Sequence, residues 1–541
     1  MSRREAALSA LLILVVALAV RAFFAAQIVF PKPEDTAYYV GVAQNLVEGR
    51  GLVSDALWSY STPPLAFPRP AFEVWMPLPA WLAAIPMLLF GSSFAAAQLS
   101  SMLIGASVPV IAWRIAADVA RERGMSTERA RSLALGTGLT CAVYLPLLLH
   151  SALPDSTMPF AALALICCLL MARIAREPRG AVWRDPRLLT LGVALGLVAL
   201  TRNEAAWLAF VWVIVAWTTP ETTVGQRLRM IGVVGAVAAA IFAPWAVRNW
   251  VAFGSPLPGQ AVTNAFSVTG FDIFAWNDRP TLARYLAVGP ARLLDMRVEG
   301  TWHNLGSVLL LPGFPVSLIG LAALPWQARG RTLRPLVLLS VITFLVTSLV
   351  FPVATTWGTF LHAAGPIHVL LVISALLALD AGLARLGSRM GWTRPVAWLG
   401  AMLGIFASVL FSFVLLPTFG NGSRATAAMY QELRTRMAAI ERPINAEMGP
   451  LISNFPIWVA ETQGVSTLAL PDEPADDVLD LARTFGARIL VLTNAESRYW
   501  PAELAPDAPR HDCFERLDLG AWTGPGLDPL GGTTVYEIVC P

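Results

Sequence analysis

Two aspartates lie just after long apolar stretches, at positions where a carboxylate could remove a proton from a substrate. Asp35 follows Glu34 in PEDTAYYVGVAQNLVEGRG, and Asp155 follows His150 in LLLHSALPDSTMPF. A charge beside a membrane is costly unless it has a partner or a function, and a positioned carboxylate suits general-base catalysis. From spacing alone, a helix cap is the more favoured function for Asp35 and an open alternative for Asp155.

Arg202 and Glu204 lie between two short apolar runs, residues 188–201 and 205–219. As a helix, the first run would be only ~21 Å long, whereas the hydrocarbon core is ~30 Å thick. We therefore expect the turn that contains Arg202 and Glu204 to lie below the membrane surface. A charge at that depth needs an ion-pair partner, water or a ligand. The sequence leaves a structural ion pair and substrate binding equally open.

Three more polar residues interrupt or end apolar stretches: Arg21, Arg248 and His362. The two arginines could contact a phosphate, although snorkelling to the membrane interface explains them equally well. A lone histidine such as His362 is more often a hydrogen-bonded packing residue than a catalyst.

Together these residues would line a cavity that holds carboxylates for proton transfer and arginines for an anion. A carboxylate that accepts the proton of a hydroxyl, with cations that stabilise a departing phosphate, is the arrangement that phosphate-activated sugar transfer requires. The sequence contains no GxGxxG or Walker loop for a nucleotide. A donor carried by a lipid would remove the need for such a loop.

The composition indicates a membrane protein. Of 541 residues, 56% are hydrophobic and 14% are charged, and the mean hydropathy is +0.60, which excludes a soluble globule and a disordered chain. Lys32 is the one lysine among 39 basic residues. Because the arginines are spread along the chain, we predict no nucleic-acid partner.

Apolar stretches predict an α-helical polytopic membrane bundle of eleven transmembrane helices. Residues 74–90 are left out, because counting them would place the arginine-rich loop 114–131 outside. Residues 31–93 and 248–304 then become long outer loops. The predicted spans are 8–30, 94–113, 132–150, 156–172, 188–201, 205–219, 230–247, 305–326, 335–353, 358–379 and 395–418.

Arginines give the predicted topology its orientation, because cytoplasmic loops retain an excess of Arg and Lys. The basic loops include Arg173 to Arg187, with Arg179, and Arg385 to Arg394. We therefore expect a multi-pass protein of the cell membrane with a cytoplasmic N-terminus. The odd number of spans places the C-terminal part outside the cytoplasm.

The chain turns polar near Gly420 and stays so to Pro541. This change divides a transmembrane domain, 1–419, from a small soluble α/β domain, 420–541. Strands are predicted at 451–454, 466–470 and 487–493, with a helix at 476–485. Cys513 and Cys540 could pair in an oxidising compartment, although spacing alone does not establish a disulfide.

At these residues the chain resembles membrane glycosyltransferases of the GT-C type, in particular the protein O-mannosyltransferases and lipid A aminoarabinose transferases of glycosyltransferase family 39. The resemblance covers residues 1–420. The segments that carry it are DTAYYVGVAQNLVEGRG at 35–51, EVWMPLPAWLAAIPMLLFG at 73–91, PDS at 154–156, LTRNEAAWL at 200–208, PWAVRNWVAFGSPLP at 244–258 and GTFLHAAGP at 358–366.

The resemblance implies roles for individual residues. It implies a polyprenyl monophosphate sugar as donor, inversion at the anomeric carbon, Asp35 as the base and Asp155 as a second acid. Arg248 falls near the lipid phosphate site of such enzymes, and Arg202 and His362 match further motif positions. Thr36 stands where relatives often have another carboxylate, so a divalent metal is left open.

We therefore predict an integral membrane glycosyltransferase that moves a sugar from a polyprenyl phosphate to an acceptor hydroxyl of a glycan, lipid or protein. Glu34, Arg21, Arg202, Glu204, Arg248 and His362 are predicted to bind substrate or the lipid phosphate. The alternatives are a glycan ligase or polymerase that uses a lipid diphosphate, a lipid or solute transporter, and an inactive scaffold.

Overall fold

The computed structural model describes residues 3–178, 184–258, 263–392, 396–494 and 496–540, and most of them are helical. The helices as far as residue 253 are α1 (Arg3–Ala25), α2 (Glu34–Val47), α3 (Leu78–Phe90), α4 (Phe94–Glu122), α5 (Thr127–Val143), α6 (Leu145–Ser151), α7 (Thr157–Arg176), α8 (Pro186–Ala199), α9 (Ala205–Trp217) and α10 (Val224–Phe253). The later helices are α11 (Leu282–Ala287), α12 (Gly289–Trp302), α13 (Val316–Gln327), α14 (Arg334–Leu349), α15 (Thr359–Ala363), α16 (Gly365–Arg389), α17 (Ala397–Ala439), α18 (Pro456–Gln463) and α19 (Ala475–Phe485). A π-helical stretch, His303–Leu310, follows α12.

Within these described ranges, six helices are long and apolar enough to cross a membrane: α1, α4, α7, α10, α16 and α17. Helices α5 and α6 pass the same test only together, with a bend of 52° between them. The other apolar helices, α3, α8, α9, α13 and α14, are shorter. Helix length therefore does not confirm the predicted count of eleven, and the stretch excluded at 74–90 forms one of the short helices.

Two predicted spans break where proline limits the helix. The span predicted at 132–150 breaks at Tyr144, just before a new helix with Pro146 in its first turn. The span predicted at 358–379 breaks at Ala364, and Pro366 lies in the first turn of α16. Proline lacks a backbone N–H, so a helix tolerates it in the first turn but not in its interior. As a result α15, which carries His362, is a separate short helix.

Arginines lie at the helix ends that we predict to face the cytoplasm. Arg121 is in the last turn of α4, Arg173 and Arg176 in that of α7, and Arg389 in that of α16. The predicted loop residues Arg179 and Arg394 lie outside the described residues. The membrane side of each loop stays a prediction.

The last apolar helix, α17, continues far beyond the predicted span 395–418 and through the predicted boundary at Gly420. It has 43 residues and ends at Ala439. Its last turns bury Tyr430, Leu433 and Met437, so they form an amphipathic extension that packs on the C-terminal part. The change of composition at Gly420 therefore marks where the apolar surface of this helix ends, not where the helix ends.

The strands are β1 (Val53–Ser54), β2 (Ala56–Leu57), β3 (Arg69–Pro70), β4 (Leu451–Ser453), β5 (Thr467–Ala469), β6 (Ile489–Thr493), β7 (Phe514–Arg516) and β8 (Thr533–Ile538). The C-terminal part contains most of a six-stranded sheet of order β2-β5-β4-β6-β8-β7. Strands β2, β5, β4 and β6 are parallel, and β8 pairs antiparallel with β6 and β7. A small antiparallel pair joins β1 to β3.

These strands include those expected at 451–454, 466–470 and 487–493, and α19 is the expected helix. A disulfide joins Cys513 to Cys540, so the two cysteines whose pairing the sequence left open are bonded. The edge strand β2 comes from the first outer loop rather than from the C-terminal part.

The two largest hydrophobic cores among the described residues lie in different parts of the protein. One lies inside the helical bundle, among α4, α5, α7, α8, α9, α14 and α16. The other joins α2, α3 and the rest of the first outer loop to the C-terminal sheet, with buried residues such as Trp58, Leu57 and Leu468. Because one apolar core crosses both segments, the first outer loop and the C-terminal part pack as one body.

Candidate functional site

Asp35 and His362 are in direct polar contact at one end of the bundle. Asp35 lies in the first turn of α2, and its Oδ1 accepts the backbone N–H of Thr36 at 3.0 Å. Its Oδ2 lies 2.7 Å from Nε2 of His362. The histidine is therefore not only a packing residue, because its ring is bonded directly to the predicted base.

A glycine turn places His362 opposite Asp35. Gly358 has φ +113°, a conformation that favours glycine. A Cβ on Gly358 would lie only 3.3 Å from His362 Nε2, so the turn also keeps the space that the ring needs. Helix α15 starts at the next residue, Thr359, so His362 lies about one helical turn after Gly358.

Asp155 contacts the other side of the same ring. Its Oδ2 lies 3.7 Å from His362 Nδ1, and the hydroxyl of Thr157 lies 2.7 Å from that nitrogen. Oδ1 of Asp155 accepts the backbone N–H of Thr157 at 2.7 Å, at the start of α7. Asp155 therefore accepts a backbone N–H at the start of α7 and also contacts His362. Asp155 is 1% exposed.

Thr36 joins the two aspartates from the side of α2. Its hydroxyl lies 3.4 Å from Asp155 Oδ2, while its backbone N–H is bonded to Asp35. The residue that stands where relatives often carry a carboxylate thus contributes a hydrogen-bond donor instead.

Arg202 and Glu204 form the ion pair that the sequence left open as one alternative. Nε and Nη2 of Arg202 lie 3.0 and 2.6 Å from the two carboxylate oxygens of Glu204. Nη1 donates to Ser156 Oγ at 2.8 Å, and Nη2 also donates to the carbonyl of Thr359 at 3.1 Å. The pair thereby links the turn before α9 to the starts of α7 and α15.

Asp35, His362 and Arg202 line one cavity of about 290 Å³. Aromatic residues form much of the rest of its wall, and they come from several parts of the chain: Trp58, Trp75, Phe274, Trp357, Phe455 and Trp458. Among the described lining residues Arg202 is the one permanent cation. Asp155 is not among them, so it can act on the cavity only through residues that it contacts, such as His362 and Thr36.

A second cavity of about 140 Å³ shares six lining residues with the first, among them Arg202, Trp75 and Asn264. Its wall also contains Trp207 of α9 and Phe351, which follows α14. Arg202 therefore lies between the larger cavity, whose wall contains Glu34, Asp35 and His362, and a smaller one beside the helices.

Glu34 lines the larger cavity but is held by the C-terminal part. Its Oε1 accepts the backbone N–H groups of Ile457 and Trp458, at 3.0 and 3.4 Å, at the start of α18. Burial raises the pKa of Glu34 to about 8. The side chain therefore docks a helix as well as facing the cavity.

The two other predicted phosphate contacts lie elsewhere. Arg248 donates to the carbonyls of Ala71 and Leu52 in the first outer loop, at 2.8 and 3.3 Å, and stacks over Trp245. Arg21 is buried in the bundle, where it donates to Ser151 Oγ at 2.9 Å. Neither arginine is among the described residues that line the two cavities.

One group of residues has a donor set that fits a divalent metal. One atom each of His150, Asp155 and His362 lies within 4.8 Å of the others, and two histidines with one carboxylate suit Zn²⁺. His150 Nδ1 is buried without a hydrogen-bond partner among the described residues. His362 Nδ1, however, already contacts the Thr157 hydroxyl. The three residues could thus hold a metal through His362 Nδ1 only if its hydrogen bond with Thr157 were broken.

Sequence reasoning missed Thr157, Ser156 and Trp458. The two hydroxyl residues follow Asp155 directly, so PDST, with donors beside an acid at a helix start, is the signal that could have identified them. Trp458 had no such signal, since its place on the cavity wall depends on how the C-terminal part docks.

No protein-family model matches the sequence, and no curated protein is similar to it in sequence. Solved structures are nevertheless similar. ArnT from Cupriavidus metallidurans, bound to undecaprenyl phosphate, matches with a TM-score of 0.59 and 15% identity over 98% of each chain. The oligosaccharyltransferase of Archaeoglobus fulgidus, tethered to an acceptor peptide, matches with a TM-score of 0.56 and 14% identity, over 91% of this chain and 69% of that chain.

A second structure of the Archaeoglobus fulgidus oligosaccharyltransferase AglB, with an inhibitory peptide and a dolichol-phosphate, has a TM-score of 0.53 at 14% identity, over 90% of this chain and 69% of that chain. These neighbours are membrane glycosyltransferases of the GT-C type. The predicted resemblance is thus confirmed at the level of the fold: the chain has the GT-C fold.

Proposed function

We propose that this chain is an integral membrane glycosyltransferase that transfers a sugar from a polyprenyl phosphate to an acceptor hydroxyl. The observation that carries the proposal is the contact of 2.7 Å between Asp35 and His362 on the wall of a cavity that also contains Arg202. A base whose orientation is fixed by a second group is a common arrangement for activating a hydroxyl.

In the proposed reaction Asp35 accepts the proton of the acceptor hydroxyl. The acceptor oxygen forms a bond to the anomeric carbon as the bond from that carbon to the phosphate oxygen breaks, with inversion. The electron pair of the broken bond leaves with the polyprenyl phosphate, and Arg202 stabilises the negative charge that develops there. His362 holds Asp35 in place, and Asp155 and Thr157 hold His362.

A lipid-borne donor fits the two adjoining cavities. The phosphate would lie at Arg202, the sugar in the larger, aromatic cavity and the lipid beside the smaller one, where the apolar side chains of Trp207 and Phe351 contribute to the wall. Aromatic rings offer apolar faces that suit the C–H faces of a sugar. ArnT binds undecaprenyl phosphate and AglB binds dolichol-phosphate in their solved structures, which supports this class of donor.

We place the reaction on the extracytoplasmic face. The cavity lies at the start of α7, whose arginine-rich last turn is of the kind retained in the cytoplasm. The disulfide between Cys513 and Cys540 supports an oxidising compartment for the C-terminal part.

The test is transfer from polyprenyl phosphates labelled in the sugar, with purified full-length protein in detergent or vesicles. Asp35→Asn should fold and lose activity by a factor of about 10² to 10⁴, because the amide cannot accept the proton. The matched control is Asp507→Asn, which changes an exposed aspartate of the C-terminal part and should keep wild-type turnover.

Equal turnover of wild type and Asp35→Asn would remove Asp35 from the mechanism. Movement of the intact labelled lipid between leaflets, without cleavage of the sugar–phosphate bond, would contradict the enzyme and favour a transporter.

A further inference from the structure

Four arginines converge on one buried aspartate at the end of the bundle away from the candidate site. Asp118 of α4 lies 3.1 Å from Arg173, 3.3 Å from Arg121 and 3.5 Å from both Arg114 and Arg176. We call these four arginines the arginine cluster. Two of them come from α4 and two from the last turns of α7.

The charges of the arginine cluster do not balance. The side chain of Asp118 is 0% exposed, whereas the arginine side chains are exposed by 22% at Arg176 to 66% at Arg121. One carboxylate neutralises one of four guanidinium groups, so an excess of positive charge stays at the surface. Each guanidinium has five N–H donors in a planar fork, more than contacts to one carboxylate can use.

A second carboxylate, that of Glu122, lies beside the arginine cluster and accepts backbone N–H groups. Glu122 accepts the N–H of Arg331 at 2.6 Å and that of Thr332 at 2.9 Å, in the loop between α13 and α14. Arg176 also donates to the Thr332 hydroxyl at 3.1 Å. The carboxylate of Glu122 also attracts Arg176, so Asp118 and Glu122 together offset two of the four positive charges and two remain.

The arginine cluster lies at the level where a membrane-spanning α7 would meet lipid head groups. Helix α7 has 20 residues, or ~30 Å, which is one hydrocarbon thickness. It begins at Thr157, which contacts His362, and ends at Arg176. The candidate site and the arginine cluster thus lie at opposite ends of a helix that is long enough to span a membrane.

A tryptophan marks the same level. Trp326, in the last turn of α13, is 67% exposed, and the next residue, Gln327, accepts a hydrogen bond from Arg123 at 2.8 Å. Exposed tryptophans are typical of the membrane–water interface. The arginine cluster is therefore flanked by a residue that suits contact with head groups and upper acyl chains.

We propose that the arginine cluster binds the phosphate of an anionic phospholipid. A phosphate oxygen supplies the acceptors that the exposed guanidinium groups lack, with bidentate geometry. A lipid rather than a free anion is favoured because the arginines lie at the ends of two helices that are apolar enough to span a membrane. This site is separate from the cavity at Asp35 and does not depend on the reaction proposed there.

The test compares lipid binding by native mass spectrometry of full-length protein, with added phosphatidylglycerol or phosphatidylcholine. Wild type should retain phosphatidylglycerol preferentially. Arg114→Gln with Arg121→Gln removes two charges of the cluster but leaves Arg173, the partner nearest to Asp118, so the helix contact survives. This double variant should bind phosphatidylglycerol about tenfold less tightly.

The matched control is Arg385→Gln with Arg389→Gln, which removes two exposed arginines near the end of α16. It should keep the wild-type preference. Equal losses in the two double variants would overturn the proposal, because they would indicate unspecific attraction by net charge. Displacement of phosphatidylglycerol by millimolar inorganic phosphate would also overturn it, since a site for free anions would then explain the binding.

Discussion

His362 lies between two acids that are far apart in the sequence. Nε2 faces Asp35 at 2.7 Å, and Nδ1 faces the Thr157 hydroxyl at 2.7 Å with Asp155 at 3.7 Å. If Nε2 carries the proton, it donates to Asp35, and Nδ1 accepts from Thr157. The ring thus fixes the orientation of Asp35, the proposed base, while Asp155 holds the ring without reaching the cavity wall.

Thr157 should control this orientation. Thr157→Val removes the hydroxyl that contacts His362 Nδ1, so transfer activity should fall about tenfold, the equivalent of one hydrogen bond. Thr157→Ser keeps the hydroxyl and should keep most of the activity. The measurement is turnover of labelled donor by the two purified variants, together with their thermal unfolding. Equal activity of the Val and Ser variants would contradict the positioning role.

The sequence predicted the types of the site residues better than their contacts. Asp35, Asp155, Arg202 and His362 were identified because charges beside apolar stretches need an explanation. Arg248 and Arg21 have the same signal, yet they bond to backbone carbonyls and to Ser151 away from the cavity. A local pattern therefore shows that a charge needs partners, but not whether a ligand or the fold supplies them.

At the scale of helices, one close contact joins α13 to α16. A Cβ on Gly320 would lie 2.1 Å from the backbone carbonyl oxygen of Leu371, and the Ser374 hydroxyl donates to the Gly320 carbonyl at 2.7 Å. Backbone atoms cannot move aside as a flexible side chain can. This approach therefore requires a residue without a side chain.

Gly320→Ala should separate these helices and lower the stability of the bundle by about 1–3 kcal/mol, the usual cost of overpacking. Gly382→Ala, in α16, is the matched control, because no atom lies within 4 Å of its Cβ position. The thermal unfolding temperatures of the two variants in one detergent provide the measurement. A decrease in both, or in neither, would show that the contact does not limit packing.

Hydropathy located the apolar segments, but not the breaks within them or the end of the last long helix. Two predicted spans proved to be broken at Tyr144 and Ala364, because the prolines that follow restart a helix in a new direction. Hydropathy averages over such breaks, so it cannot separate one span from two short helices. The amphipathic end of α17 was missed because its buried face contacts the C-terminal part rather than lipid.

A carboxylate between two elements gives the outer part of the protein a pH dependence. Glu461 of α18 lies against Gly41 of α2, in a crevice that also contains Glu48 and Asp55. Burial raises the pKa of Glu461 from 4.5 to about 8, and the two nearby carboxylates add to the increase. A hydrogen bond with Gln44 lowers the pKa and offsets only part of it.

Because the folded pKa is above the unfolded one, the folded state binds the extra proton between these two values. Its contribution to stability is complete below about pH 4.5 and is lost as the pH rises through about 8. Between pH 5 and pH 9, wild type should lose about 1 kcal/mol more than Glu461→Gln, after allowance for partial exposure. Thermal unfolding at both pH values measures this difference. Glu447→Gln, at an exposed glutamate, should behave as wild type, and parallel pH curves for Glu461→Gln and wild type would refute the assignment.

At the scale of the whole molecule, the C-terminal part is bound to both outer loops. Strand β2 of the first outer loop pairs with β5. Glu473 of the C-terminal part accepts three backbone N–H groups of the second outer loop at 2.8–3.0 Å, those of Trp276, Asn277 and Asp278. The sequence indicated a separate soluble domain because its polarity changes at Gly420, but polarity says nothing about surfaces that fold against each other. The aromatic cavity at Asp35 depends on this docking, since Trp458 forms part of its wall.

Cutting the chain between α17 and β4 should therefore leave the two fragments associated. A protease site inserted after Glu441, an exposed residue just beyond α17, permits cleavage of the folded protein. The C-terminal fragment should sediment with the membranes after cleavage, because strand pairing, the shared apolar core and the bond from Trp458 Nε1 to the Pro31 carbonyl at 2.9 Å all remain. Transfer activity should persist for the same reason.

The matched control is the cut protein with Trp458→Ala and Glu34→Ala. These substitutions remove the hydrogen bond from Trp458 Nε1 to Pro31 and the hydrogen bonds that Glu34 accepts from the backbone at the start of α18. More of the fragment should then be released at moderate urea concentration. Complete release from the cut protein that carries neither substitution, in buffer alone, would contradict a shared core. It would mean that the C-terminal part is held near the cavity only by its covalent link to α17.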